Sequence, residues 1–256
     1  MKMMIDTHCH ISKNDYDNPE KIIKNMEENI MIISTASPED IDEVINLCEN
    51  YKNVFGTIGI HPEFADTYKE DDLKKIEKYL NHPKIVGIGE IGLDYHFSKE
   101  NKENQKTLFI KQIKLANIYH KTIVIHSRDA INDTYNIIKE YKSQDTKCNL
   151  HCYSGSLEMA QNFIPLNVTF GIGGVLTFKN EKKLKDIVRT LDLKHFVLET
   201  DSPYLTPEPL RGHQNEPVNI KYVAMKIAEL KGIEYTKVLD ITTQNAIRQF
   251  DLEKRL

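Results

Sequence analysis

No stretch of this 256-residue sequence approaches the roughly twenty consecutive apolar residues that a membrane-spanning helix requires. Its opening, MKMMIDTHCH, also lacks the long apolar segment of a secretory signal. Cysteine is sparse: Cys9, Cys48, Cys148 and Cys152 show no repeated C-x-x-C pattern, as expected of a chain kept in a reducing, cytoplasmic compartment. Net positive charge is missing too. At −4 the chain has no overall basic field to draw in nucleic acid, so any contact with a polyanion must be local or carried by a bound metal. Linkers and low-complexity tracts are absent, which leaves residues 1–256 as one domain. A soluble protein is expected, with no membrane and no obligate protein partner.

Enough apolar sequence is present to fold it. Hydrophobic residues make up 40% and charged residues 28%, which excludes a wholly disordered chain. The length suits an α/β barrel, which commonly runs to about 250 residues as a single unit.

Short apolar, β-branched runs bounded by turn residues occur eight times. They are MMIDTH (3–8), IMIIST (30–35), VFGTIGIH (54–61), IVGIGE (85–90), TIVIHS (122–127), CNLHCY (148–153), VTFGIGG (168–174) and FVLETD (196–201). Their near-continuous hydrophobicity is that of strands covered on both faces. Helical lengths or periodicities fall between them at 18–28, 38–51, 70–81, 101–120, 129–142, 156–164 and 180–192, and 217–231 and 236–250 follow the last strand. Ser37 and Pro38 suit the cap and first position of the second helix. Eight strands alternating with helices predict a parallel sheet closed into a (β/α)8 TIM barrel, with a doubly wound open sheet as the other solution. A barrel places its chemistry at the C-terminal ends of the strands.

Polar residues collect where the apolar runs stop. The first strand carries Asp6, His8 and His10 at alternate positions, which an extended chain turns to one side. The fourth ends in Glu90, the fifth in His126, the sixth in His151 and the eighth in Glu199 and Asp201. Each has a plainer reading alone: a satisfied core histidine at His126, a loop cap at Glu90, a turn residue at Asp201. Four histidines and three carboxylates from five strands converge only if the sheet closes, and such nitrogen and oxygen donors suit zinc, manganese or similar divalent ions. His61, ending the third run in GIHP, is intermediate, whereas His82, His96, His120 and His195 fall away from strand ends.

Seven blocks carry a resemblance: DTHCH, GIHP, GEIGLDYH, VIHSRDA, HCYSGS, LETDSPYLTP and RGHQNEP, spread from residue 6 to 217. In these the chain resembles the TatD family of metal-dependent deoxyribonucleases, within the amidohydrolase-like barrel superfamily. The resemblance implies two divalent cations, zinc, manganese, magnesium or nickel, held by His8, His10, Glu90, His126, His151 and Asp201, with Glu90 bridging. No lysine occupies the bridging position, so the pair would form without lysine carboxylation. The block GIGGVLTFKN has glycine where serine is more typical, a departure expected to bear on loop geometry.

Asp201 and Glu90 are the expected catalytic carboxylates, Asp201 accepting the proton of a metal-activated water. Glu199 would orient a histidine ligand from behind. Arg211 and Asn215 in RGHQNEP would contact a phosphate, the plainer reading of Arg211 being a loop salt bridge to Glu208 or Glu216. Tyr95, Tyr153 and Tyr204 could stack on a base or sugar, or simply pack. The expected reaction is hydrolysis of DNA from single-stranded ends as a 3′-5′ exonuclease. The alternative is ester or amide cleavage, such as removal of a D-amino acid from tRNA. A non-catalytic metal-binding module is disfavoured because every ligand position is filled.

Overall fold

The computed structural model describes residues 2–96, 100–253 and 255. Strands and helices alternate as β1 (Ile5–Cys9), α1 (Pro19–Lys24), β2 (Ile30–Ser34), α2 (Ile41–Asn50), β3 (Val54–Thr57), α3 (Glu70–Tyr79), β4 (Ile85–Asp94) and α4 (Lys102–Tyr119). The second half continues with β5 (Thr122–Arg128), α5 (Ile131–Tyr141), β6 (Cys148–Leu150), α6 (Leu157–Phe163), β7 (Val168–Ile172), α7 (Lys183–Thr190), β8 (Phe196–Leu198), α8 (Ile220–Lys231) and α9 (Tyr235–Gln249). Eight parallel strands lie in sequence order in one sheet, the arrangement of a (β/α)8 barrel.

Closure is made just beyond β8. Asp201 N donates to His8 O at 3.0 Å, and His10 N donates to Ser202 O at 2.8 Å. Asp6, fully buried, accepts from Thr200 N and from the Thr200 hydroxyl. Asp6 therefore seals the seam between first and last strands and does not join His8 and His10 on one working face. A register shift between Asp6 and Cys9 breaks the simple alternation there.

Ile5, Ile30, Ile32, Phe55, Val86, Val124 and Val197 form one apolar cluster with Ala246, Ile247, Phe250 and Leu252 at the end of α9 and just after it. Two positions after Ile32, Phe55, Val124 and Val197 stand Ser34, Thr57, His126 and Glu199. Period-two alternation thus turns a hydrocarbon layer at one end into a polar layer at the other. A far larger apolar cluster lies between sheet and helices.

Boundaries move in a consistent way. Ladders at β3, β6, β7 and β8 stop at Thr57, Leu150, Ile172 and Leu198, short of the apolar runs, although single backbone bonds such as His151 N to Ile125 O and Glu199 N to Ile172 O carry the pairing one residue further. His61, His151, Glu199 and Asp201 sit just beyond those strand ends. β4 runs instead to Asp94, with a register shift against β5 between Ile88 and Ile91 that brackets Glu90. Segment 38–51 splits into a 3-10 turn, Pro38–Asp40, and α2, with Ser37 N bonded to Asp40 Oδ2. Segment 217–231 splits likewise into Pro217–Asn219 and α8. The segment from 129 starts its helix only at Ile131, since Asp129 is left-handed at φ 54°.

Candidate metal centre

A cavity of about 880 Å³ opens at the C-terminal end of the barrel, lined among others by His10, His61, Glu90, Asp94, His126, His151 and Asp201. At its floor the side chains divide around one carboxylate. Glu90 Oε1 lies 2.7 Å from His151 Nε2 and 2.8 Å from His126 Nδ1, with His61 Nε2 at 3.8 Å. Its other oxygen, Oε2, faces His8 Nε2 at 3.5 Å and His10 Nε2 at 3.7 Å. Asp201 Oδ1 completes that side at 3.6 Å from both.

Backbone and hydroxyl groups set the rings. His10 Nδ1 contacts Ser34 O at 3.1 Å; as donor to that carbonyl it leaves Nε2 with its lone pair toward the cavity. His8 Nδ1 meets Ser34 Oγ at 3.0 Å, and that hydroxyl also meets Thr57 Oγ1. The residues one layer above the apolar plug are therefore what aim the imidazoles.

Charge follows the geometry. Burial opposes ionisation of Glu90, but His151 and the surrounding imidazoles outweigh it and hold the carboxyl well below its usual range. Asp201 is lowered also, its burial overcome by the contact with His10 and by His151 and His8. Burial drags His10 down, yet Asp201 and Glu90 leave it pushed up to about 9. His151 and His126 are raised against burial, His151 by Glu90 and Glu199, His126 by its bonds to Asp94 and Glu90. His8 is lowered, by burial and then by the neighbouring His151. His61 falls to about 4, because burial there exceeds the pull of Glu90.

These residues fit divalent cations. Three groups each bring their ligand atoms within 4.8 Å of one another: His8, Glu90 and His151; His8, His10 and Asp201; and His61, Glu90 and His126. Nitrogen faces nitrogen between His8 and His10, whose Nε2 atoms are 3.3 Å apart. Such convergence of basic atoms with carboxylate oxygens in a buried site is what a tetrahedral or higher-coordinate ion requires. All six ligand positions expected from the sequence, His8, His10, Glu90, His126, His151 and Asp201, meet here.

Glu199 is wholly buried behind His151, with Oε1 3.7 Å from His151 Nδ1 and accepting from Cys152 N at 2.5 Å. A Cβ on Gly171 would stand 2.0 Å from Glu199 Oε2. The glycines of β7 and the turn after it therefore do more than shape a loop: Gly171 makes the space that the carboxylate fills.

The expected substrate contacts fare differently. Asn215 is fully buried; its amide nitrogen donates to Thr200 O and Tyr204 O, and its oxygen accepts from Glu216 N and Asn219 Nδ2. With those bonds made it braces the 200–219 loop and does not line the cavity. Tyr95 is buried with its hydroxyl on Asp133, and Tyr153 is buried with its hydroxyl on Ser156 O. Neither ring reaches the mouth, because both phenols are used to anchor loops. Tyr204 does reach it, 59% exposed and edge-on to His10. Arg211 is exposed, its guanidinium 4.0 Å over the Phe178 ring, outside the cavity lining.

The centre also draws in one residue the sequence left intermediate, His61, and one it did not single out, Asp94. His61 lies with its ring against His126, and its Nδ1 accepts from Glu63 N, which places the proton of the neutral ring on Nε2, the atom nearer Glu90. Asp94 holds His126 Nε2 at 2.9 Å. GIHP pointed at His61, but the three residues between the end of β3 and His61 concealed its reach; Asp94 lay beyond the point at which the fourth strand was expected to stop.

The family model for TatD related DNase matches residues 5–251. An uncharacterized metal-dependent hydrolase of Bacillus subtilis, YabD, is 40% identical over 97% of this chain and 99% of its own. Another from Escherichia coli K12, YcfH, is 31% identical over 98% of this chain and 96% of its own. Among solved structures, the TatD homolog YJJV from Escherichia coli K12 superposes with a TM-score of 0.89 at 27% identity, covering 97% of this chain and 98% of that one.

Proposed function

The chain belongs to the TatD related DNase family and is a metal-dependent hydrolase, and from that premise we propose that it cleaves phosphodiesters at single-stranded DNA ends in the 3′-5′ direction. The observation that carries the two-cation form of this reading is the division of Glu90, one oxygen toward His61, His126 and His151 and the other toward His8 and His10. When bound, a pair of cations lowers the pKa of a water and neutralises charge on phosphoryl oxygens. Zinc, manganese, magnesium or nickel would each meet acceptable donors here.

The protein's own groups supply the rest. Asp201, ionised beside His10, accepts the proton of the attacking water. His61 stays neutral near pH 7 and offers Nε2–H to an oxygen of the scissile group. Glu199 keeps the His151 ring oriented from behind. Tyr204 at the mouth gives a terminal base a ring to lie against.

Charge at the rim limits how much nucleic acid can enter. Among the described residues, four carboxylates line the cavity outside the centre at its floor, Asp15, Asp40, Glu43 and Glu63, against one arginine, Arg128. Such a rim accommodates a strand end far better than a tracked duplex. The same acidity favours the second reading, hydrolysis of an aminoacyl ester whose ammonium group would meet Asp40 or Glu43. Manganese-loaded protein incubated with end-labelled single and double strands, and with aminoacylated tRNA, separates them by product. Mononucleotides released from the 3′ end support the first reading; free amino acid with intact oligonucleotide overturns it.

A further inference from the structure

We propose that the back of His151 carries a separate site for a thiophilic divalent cation, formed by His151, Cys152 and Glu199, and that its occupation slows the enzyme. The proposal concerns a different set of atoms from the main centre and holds whatever bond the enzyme cleaves.

Ligand atoms from these three residues lie within 4.8 Å of one another. Two polar atoms at this place are buried without a hydrogen-bond partner among the described residues, His151 Nδ1 and Glu199 Oε2. The 3.7 Å between His151 Nδ1 and Glu199 Oε1 is long for a hydrogen bond. It is close to the roughly 3.4 Å that separates two ligands around a tetrahedral zinc with bonds of about 2.1 Å. Because Nε2 of the same ring faces Glu90 at 2.7 Å, the imidazole offers one nitrogen to each side.

Cys152 supplies what the main centre lacks, a sulfur. It borders both the large cavity and a second one of about 230 Å³, lined also by Gly171, Gly173, Glu181 and Lys183. An ideal Cβ on Gly173 would meet Glu199 at 3.6 Å, an ordinary contact, so a group of that size, such as a water serving as a further ligand, fits there. Sulfur with imidazole and carboxylate selects zinc, cobalt or cadmium over magnesium and manganese. On binding, the thiol proton and the ring proton on Nδ1 pass to solvent, so that with Nε2 engaged in the main centre His151 bridges the two sides as an imidazolate, and the lone pairs on sulfur and Nδ1 form the new bonds. A lengthened Glu199–His151 hydrogen bond would account for the pairing of those two residues alone; it would leave Oε2 and the sulfur unexplained.

Cobalt and cadmium titrations of the full-length, manganese-loaded protein test this. One equivalent of thiolate-to-metal charge-transfer absorption is expected, since no sulfur takes part in the main centre. Cys9, Cys48 and Cys148 are buried and contribute none. Cys152→Ala should abolish the band while the manganese content stays unchanged, and Glu199→Gln should weaken the binding about tenfold or more. Alkylating Cys152 in the wild-type protein, located by mass spectrometry, gives the same answer without a variant. Turnover should fall about tenfold as the band saturates. Absence of the band at several equivalents in folded wild-type protein, or its survival in Cys152→Ala, overturns the site. A saturated band with undiminished turnover overturns its inhibitory role.

Discussion

His8 Nε2 and His10 Nε2 stand 3.3 Å apart, and each is 3.6 Å from the same oxygen of Asp201. In the metal-free protein a proton must share this space, and His10, pushed up to about 9, holds one at neutral pH. A cation has to displace it. Affinity for zinc or manganese is therefore expected to rise between pH 7 and about 9, by about tenfold per pH unit for each proton expelled. Calorimetry in buffers of different ionisation enthalpy measures the protons released; a pH-independent affinity with no release would contradict this.

Stability of the metal-free protein should decline on both sides of neutrality. His10 titrates at about 9 when folded and near 6.5 when unfolded, so its contribution is full below about 6.5 and is lost as pH rises through 9. His61, lowered to about 4, works in reverse: its contribution is full above about 6.5 and fades as pH falls toward 4. Glu90 and Asp201, both lowered, contribute above the ordinary carboxylate range and lose that contribution in acid. Thermal unfolding after chelation should show the highest Tm near pH 7, and added metal should remove much of the dependence.

Asp201→Asn retains size and one oxygen toward His8 and His10 while removing the charge that takes a proton. Turnover is expected to fall about a hundredfold or more, with substrate still bound and metal partly retained. Metal content measured on the same sample decides the role. Complete loss of metal would make Asp201 a ligand only, and near-normal turnover with full metal would transfer the base role to another group.

Gly171 and Gly173 form a matched pair of opposite expectation. An alanine methyl at 171 would stand 2.0 Å from Glu199 Oε2 with no way for the buried carboxylate to retreat, whereas at 173 the nearest atoms are 3.6 Å away. Gly171→Ala should destabilise by roughly 1–3 kcal/mol, the range of overpacked cores, and Gly173→Ala should change little. Urea unfolding of both variants checks the difference. Equal midpoints would show that Glu199 is not held as the structure places it.

Arg211 stacks on Phe178 outside the cavity lining, so its effect should depend on substrate length. Arg211→Ala is expected to raise KM for oligonucleotides by about tenfold, within the range of a charge-assisted phosphate contact, and to leave small aryl phosphodiesters unaffected. KM measured on both substrates makes the comparison. A parallel change would point to a role inside the cavity, and no change at all would remove Arg211 from substrate binding.

Much of the centre was legible because strand chemistry is periodic. His126 follows Val124 and Glu199 follows Val197 on one face, so a polar residue in phase with an apolar one announces the end of a buried strand. Glu90 and His151 were legible on a simpler ground, as polar residues standing where an apolar run stops. Asp6 shows its limit. Alternation put it beside His8 and His10, but the seam with the segment after β8 took its carboxylate for Thr200. Asn215 and the phenols of Tyr95 and Tyr153 read equally well as substrate groups or braces, since a hydrogen-bond donor looks the same in sequence whether solvent or a loop carbonyl receives it.

The order and type of the elements, the (β/α)8 class and the polar groups at strand ends were determined by the sequence alone, because they depend on local periodicity and on turn residues. Tertiary structure decided which of those groups share a cation. Asp201 reaches His8 through a backbone bond across the barrel seam, Gly171 yields its side-chain volume to Glu199 just after the next strand, and His61 and Asp94 enter only because β3 ends early and β4 runs late. Each is a relation between chain segments far apart in sequence, set by closure and register, and no single segment carries it.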